Sequence, residues 1–260
     1  MTPAEERETT LRRIRDSLQE LLADGVDYLP RPPRAAPIAP ARAAPAQAAP
    51  TFQPRVAPLP PPTRTSVEAA GNTQSLEAVR ADLGDCRRCR LCEKRREIVF
   101  GEGAADARVV FVGEGPGEEE DKSGRPFVGR AGELLTKMIE AVGWRREDVY
   151  ICNIVKCRPP GNRDPQPDEV ASCQPFLERQ IRAIAPVAIV TLGKPAISTL
   201  LGRIVAITKL RGQWQEFQGI AVMPTYHPAY LLRNYTRETR QAVWDDLRAV
   251  RERVEGARAK

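Results

Sequence analysis

The chain is 260 residues long and 42% hydrophobic, with a mean hydropathy of −0.42, a formal net charge of +6 and a pI near 9.1. These values exclude one packed core spanning the whole length, and no stretch approaches the roughly 18 apolar residues of a membrane span. The mild basic excess is compatible with a polyanionic partner without requiring one.

Glu5, Glu6 and Glu8 precede any apolar run, so no signal peptide is expected. A reducing, cytoplasmic location follows, in which six cysteines are metal ligands or free thiols rather than disulfides. Leu11, Ile14, Leu18, Leu21 and Leu22 fall on one face of an amphipathic helix. That helix defines a segment over 1–29 that either docks on a protein partner or lies on its own domain. Twelve prolines between Pro30 and Pro62, with many alanines and no acid, then predict a disordered Pro/Ala-rich linker over 30–74.

Globular signals occupy 75–260. Leu76, Val79 and Leu83 predict a short helix leading into the cysteines. Residues 107–112 form an apolar run suited to a buried strand, and a loop follows over 113–129. A helix over 131–142 turns Leu134, Leu135, Met138 and Ile139 inward. A second strand is expected over 149–155 and a helix over 167–184, bent near Pro175. A third strand over 187–192 leads to a helix over 195–201. The fourth strand spans 220–224. A last helix over 238–254 buries Val243, Trp244, Leu247 and Val250. Alternating strands and helices predict a three-layer α/β/α domain around a mostly parallel four-stranded sheet. In that architecture ligands bind beyond the carboxyl ends of strands, where the loops after Val112 and Pro224 fall.

Cys86, Cys89 and Cys92 are spaced C-x2-C-x2-C, and fifteen residues separate Cys157 from Cys173. Two close pairs would suit a structural zinc site. A wide second pair suits an iron–sulfur cluster at least as well. Spacing therefore indicates a metal and leaves its identity open, with Cys92 ambiguous. Cys152 lies mid-strand and reads as a small buried apolar residue.

Two loops carry candidate chemistry. The first reads GEGPGEEED and continues to Arg125, Pro126, Phe127, Val128 and Gly129. Pro116 removes a backbone donor and the acids repel phosphates, so this is no nucleotide cradle. A carboxylate held there suits stabilising a cation or placing a water. The second loop, 226–233, contains His227, the only histidine in the chain.

Together with NIVKCRPPGNRDP over 153–165, and with the C-x2-C … C-x15-C framework, these runs resemble the family 4 uracil-DNA glycosylases over about 75–255. The resemblance implies a monofunctional DNA glycosylase of base-excision repair, a monomer acting on uracil-containing DNA in the prokaryotic cytoplasm, at the nucleoid. It implies a [4Fe–4S] cluster on Cys86, Cys89, Cys157 and Cys173, with Cys92 near enough to substitute. Glu114 takes the place of the active-site carboxylate and Gly115 lines the pocket. Glu120 stands near the uracil C5 edge, Phe127 stacks on the base and Asn153 reads its amide face. His227 lies on the product side.

The chemistry suits those residue types. Breaking the N-glycosidic bond leaves an oxocarbenium-like sugar and a uracil anion. Glu114 meets the first and positions the attacking water, while His227 donates to the second. The base must be flipped out of the duplex, and Leu231 and Leu232 are candidates to wedge into the gap, the alternative being core packing. Arg233, Lys156 and Arg158 are candidate phosphate contacts. A covalent glycosylase with a second, loop-borne histidine is excluded by the histidine count. A non-enzymatic, metal-stabilised DNA-binding module is the alternative from another class.

Overall fold

Ser75 accepts a hydrogen bond from the Ala78 N–H at 3.3 Å and so caps the first helix, α1 (Leu76–Leu83). The computed structural model describes residues 74–257, so the helix expected over 1–29 and the linker up to residue 73 lie outside the described residues. After the cysteine loop come β1 (Glu102–Gly103), β2 (Val109–Gly113), α2 (Glu118–Ser123), α3 (Arg130–Ala141) and β3 (Tyr150–Asn153). There follow α4 (Pro167–Ile184), β4 (Ala188–Leu192), α5 (Lys194–Leu201), α6 (Ile207–Leu210), β5 (Gln215–Phe217) and β6 (Ile220–Thr225). The described chain closes with α7 (Pro228–Arg233) and α8 (Arg237–Gly256).

The four expected strands are β2, β3, β4 and β6, and they pair in parallel. The sheet nevertheless has six strands, in the order β1-β3-β2-β4-β6-β5, because short β1 and β5 add antiparallel edges. Two and three residues carry no readable alternation, which is why four were expected. Side chains alternate across the sheet as a pleat requires. Val110, Val112 and Ile189 pack with Leu177, Ile181 and Ile197 of α4 and α5 on one face. Val109, Phe111 and Val190 pack with Leu135 and Ile139 of α3 and with Val243, Leu247 and Val250 of α8 on the other. The three layers are therefore as expected, each fully buried aliphatic side chain contributing about 1.5–3 kcal/mol.

Two details of the expectation fail. Trp244 is 38% exposed, since it stands one position off the Val243–Leu247–Val250–Val254 stripe that faces the sheet. The loop expected over 113–129 also contains α2, whose Glu118, Glu119, Glu120 and Asp121 fill its first turn. Acids there complement the helix N-terminus but erase any apolar periodicity.

Register puts the ends that matter side by side. Gly113 closing β2 pairs with Asn153 closing β3, and Leu192 closing β4 pairs with Thr225 closing β6. Both informative loops thus leave parallel strands at their carboxyl ends, β2 and β6 flanking β4 on either side.

Candidate active site

Beyond those strand ends lies a cleft of about 720 Å³. Glu114, Gly115, Glu120, Phe127, Asn153, His227 and Arg233 all line it, so the structure gathers residues that the sequence scatters over 120 positions.

Asn153 is 1% exposed, and its Oδ1 has no hydrogen-bond partner within the protein. A buried acceptor left unpaired costs about 1–3 kcal/mol, so this oxygen is suited to accept from a ligand donor. It stays open because of Gly113, which sequence reasoning did not single out. A Cβ at Gly113 would overlap both Asn153 Oδ1 and the Phe127 ring. The signal lay in the glycine that opens the GEGPG run at the end of β2. Gly113→Ala is expected to lower kcat/KM by about 10²-fold through displacement of the amide and the ring, and to cost about 1–3 kcal/mol of stability through overpacking. Wild-type kinetics in that variant would contradict this packing.

Phe127 adopts a positive φ of 51°, an uncommon backbone region for a bulky residue. Its loop is held firmly enough to impose that. Glu120 Oε1 accepts from the Val128 and Gly129 N–H groups at 2.8 and 2.9 Å, and Oε2 accepts from the Gly117 N–H at 3.1 Å. Arg146 donates to Pro126 O at 2.6 Å, and Gly132 leaves room for the Phe127 carbonyl. Glu120 is therefore a wall of the cleft whose carboxylate is fixed in place by backbone donors.

Opposite stands His227, 5.7 Å from Phe127 between ring centroids. The Ala229 N–H donates to its Nδ1 at 3.1 Å, which leaves Nε2 to carry the proton. Burial, and secondarily the Arg233 charge, lower its pKa to about 4. The imidazole is consequently a neutral donor at physiological pH. Glu114 moves the other way: burial, then the nearby Asp164 carboxyl, raise its pKa to about 7.

Two other expectations fail here. Leu231 is 2% exposed and packs into the core beside α3, whereas Leu232, at 39%, is exposed. Adjacent residues on the short α7 point about 100° apart, so only one of them faces outward. Leu231→Ala is expected to cost about 2–5 kcal/mol of stability, and Leu232→Ala almost none. Thermal melts of both variants check this. Lys156 is also no phosphate contact: it is buried, donating from Nζ to Asn153 O at 2.8 Å. Arg158 lies at the surface between Asn162 Oδ1, at 2.8 Å, and Glu118, at 3.5 Å.

Cys157 follows the exit of β3, and Cys173 lies in α4. Burial pushes Cys157 up to about 12, and the Cys173 and Cys89 thiols add to the rise. Cys173 is raised by burial, with further contributions from Cys89 and Cys86. Arg95 donates to Cys86 O at 2.6 Å and to Cys157 Sγ at 3.4 Å, joining the two chain stretches. Among the described residues no three Cys, His, Asp or Glu side chains stand in an arrangement that would hold a metal ion. Cys152 is buried mid-strand, as expected.

Comparison with known proteins adds an independent line. The family model for the Uracil DNA glycosylase superfamily matches residues 100–248. The type-4 uracil-DNA glycosylase of Thermotoga maritima is 54% identical over 174 residues, covering 66% of this chain and 91% of that protein. The type-4 enzyme of Sulfurisphaera tokodaii is 46% identical over 187 residues, covering 68% and 84%. That of Saccharolobus solfataricus is 44% identical over 187 residues, covering 68% and 86%.

Proposed function

The chain belongs to the type-4 uracil-DNA glycosylases of the uracil DNA glycosylase superfamily, and from that membership we propose that it hydrolyses the N-glycosidic bond of deoxyuridine in DNA. The observation that carries this reading is the buried, unpaired Asn153 Oδ1 facing a cleft that also holds Glu114 and His227. Uracil N3–H donates to that oxygen, and the amide Nδ2 donates to O4. Cytosine reverses the pattern and leaves the acceptor unpaired, a strong ground for rejection. Thymine offers the same edge, so its methyl must be refused sterically. Glu120 is the wall at C5, and three backbone donors keep it from swinging aside.

At the sugar, ionised Glu114 stabilises developing positive charge and takes a proton from the attacking water. Neutral His227 donates from Nε2 to uracil O2 as the base departs with negative charge, an interaction worth about 2.7–4 kcal/mol. Phe127 stacks on the flipped base, Leu232 fills the space it leaves and Arg233 meets the phosphate. Oligonucleotides carrying a single uracil, cytosine or thymine, treated with alkali after incubation, test the reading. Strand scission at uracil alone is expected; an intact uracil strand, or equal cutting at thymine, would overturn it.

Cys86, Cys89, Cys157 and Cys173 are the proposed thiolate ligands of a [4Fe–4S] cluster. The thiol donor set is the one an iron–sulfur cluster takes, and Arg95 ties the Cys86 stretch to Cys157 through hydrogen bonds to Cys86 O and Cys157 Sγ. Bound there, the cluster supplies a cross-link between the segment after α1 and the start of α4. Hydrolysis transfers no electron, so the catalytic residues act without it. Anaerobically purified protein is expected to absorb near 400 nm, and Cys157→Ser to lose that band with several degrees of melting temperature. Colourless wild-type protein with stoichiometric zinc would remove the cluster assignment.

A further inference from the structure

Asp164 enters the same cleft from the loop between β3 and α4, and its carboxyl lies within hydrogen-bonding reach of the Glu114 carboxyl. Neither is there by accident of a floppy surface. The Glu114 carbonyl accepts from the Val155 N–H at 3.2 Å and the Gly113 carbonyl from the Ile154 N–H at 3.0 Å, which ties the Glu114 backbone to the exit of β3. On the other side, Arg163 grips the buried Glu169 through two hydrogen bonds of 2.8 and 2.6 Å. The same guanidinium donates to Asp164 O at 2.9 Å, and Glu169 also accepts from the Gln166 N–H at 2.8 Å. Pro165 fixes the next φ. Asp164 is thus delivered to Glu114 by a clamp whose own charges are spent on each other.

We propose that Asp164 is the positioning partner of Glu114 in the cleft, accepting a hydrogen bond from its protonated carboxyl and opposing its ionised form. A protonated Glu114 can donate to Asp164, whereas an ionised Glu114 faces it as a like charge. The causes of the Glu114 rise are burial and Asp164, with no cation offsetting either. The remaining charged or titratable groups lining the cleft are Glu120 on α2, Arg163 on Asp164's own loop, Lys194 at the start of α5, and His227, Tyr226, Tyr230 and Arg233 around α7. Arg163 is engaged by Glu169, and Glu120 by backbone donors. The pair therefore sets when Glu114 becomes an ionised base, and in which direction its oxygens point.

The test is single-turnover uracil release against pH for wild type, Asp164→Asn and Asp164→Glu, each at wild-type melting temperature. It rests on the assignment of Glu114 as the base. Asparagine removes the repulsion and supplies a donor to ionised Glu114, so the acid limb is expected to move down by about one pH unit. The rate at pH 6, relative to the plateau, then rises about fivefold by that one-unit shift. Glutamate, which keeps the carboxyl, restores a limb near that of wild type. Should the asparagine variant fail to fold, Asp164→Ser carries the same expected shift. An acid limb unmoved in the variants, or a glutamate variant indistinguishable from the asparagine one, overturns the proposal. Loss of activity in Glu114→Gln together with an unmoved limb removes only the role of Asp164, whereas an active Glu114→Gln removes the base assignment itself.

Discussion

Glu114→Gln is expected to lower the single-turnover rate of uracil release by about 10³–10⁴-fold, at the upper end of what a positioned general base contributes, while leaving DNA binding and cluster colour unchanged. Glutamine fills the same space between Gly113 and Gly115 but neither takes a proton from water nor opposes an oxocarbenium charge. Burial of Glu114 is what makes it a good base, since a carboxyl raised to about 7 is far more basic than one in water. The sign follows directly. Glu114 is ionised above about 7 and protonated below, so activity in the wild type falls as pH drops through that value. In the glutamine variant the residual rate loses that acid limb. Loss of colour or of the folded state would instead give Glu114 a structural task, contrary to its place in the lining of the cleft.

His227→Ala is the second large effect, about 10²–10³-fold, the usual cost of removing one oxyanion donor. Because burial lowers its pKa to about 4, His227 stays neutral across the range in which Glu114 titrates. The variant therefore keeps the wild-type acid limb and loses only the height of the plateau. His227→Gln, which retains a donor, is expected to recover part of the loss. A histidine acting as a cationic acid would behave differently, giving a rate that declines as pH rises through the mid-range. The Ala229 N–H on Nδ1 opposes that form, since it occupies the nitrogen that a cation would have to protonate.

Much of this was legible beforehand, for reasons tied to particular residues. The central strands announced themselves as apolar runs because both faces of a parallel sheet are covered. The order of the loops then put Glu114 and His227 at strand ends. The edge strands β1 and β5 were too short to leave a pattern, and α2 was hidden by the acids that stabilise it. Side-chain direction was a harder matter. Leu231 and Leu232 are the same residue type in neighbouring positions, and only the docking of α7 against α3 separates core from surface. Lys156 advertised charge, yet its ammonium is buried against the carbonyl of Asn153. Gly113, and Asp164 in the proposed pairing, each lie against a residue about 40 to 50 positions away, which no local periodicity encodes.

In the proposed mechanism, base readout, nucleophile activation and leaving-group stabilisation sit on three different strand exits, and the pH dependence of one rate interrogates two of them together. The single-turnover rate of uracil release by the wild-type protein, measured at saturating enzyme from pH 5 to 9, is expected to rise through a single limb near pH 7 and then stay level, following ionised Glu114 with neutral His227. A rate that is flat across this range, or one that falls as pH passes upward through 7, would contradict the account.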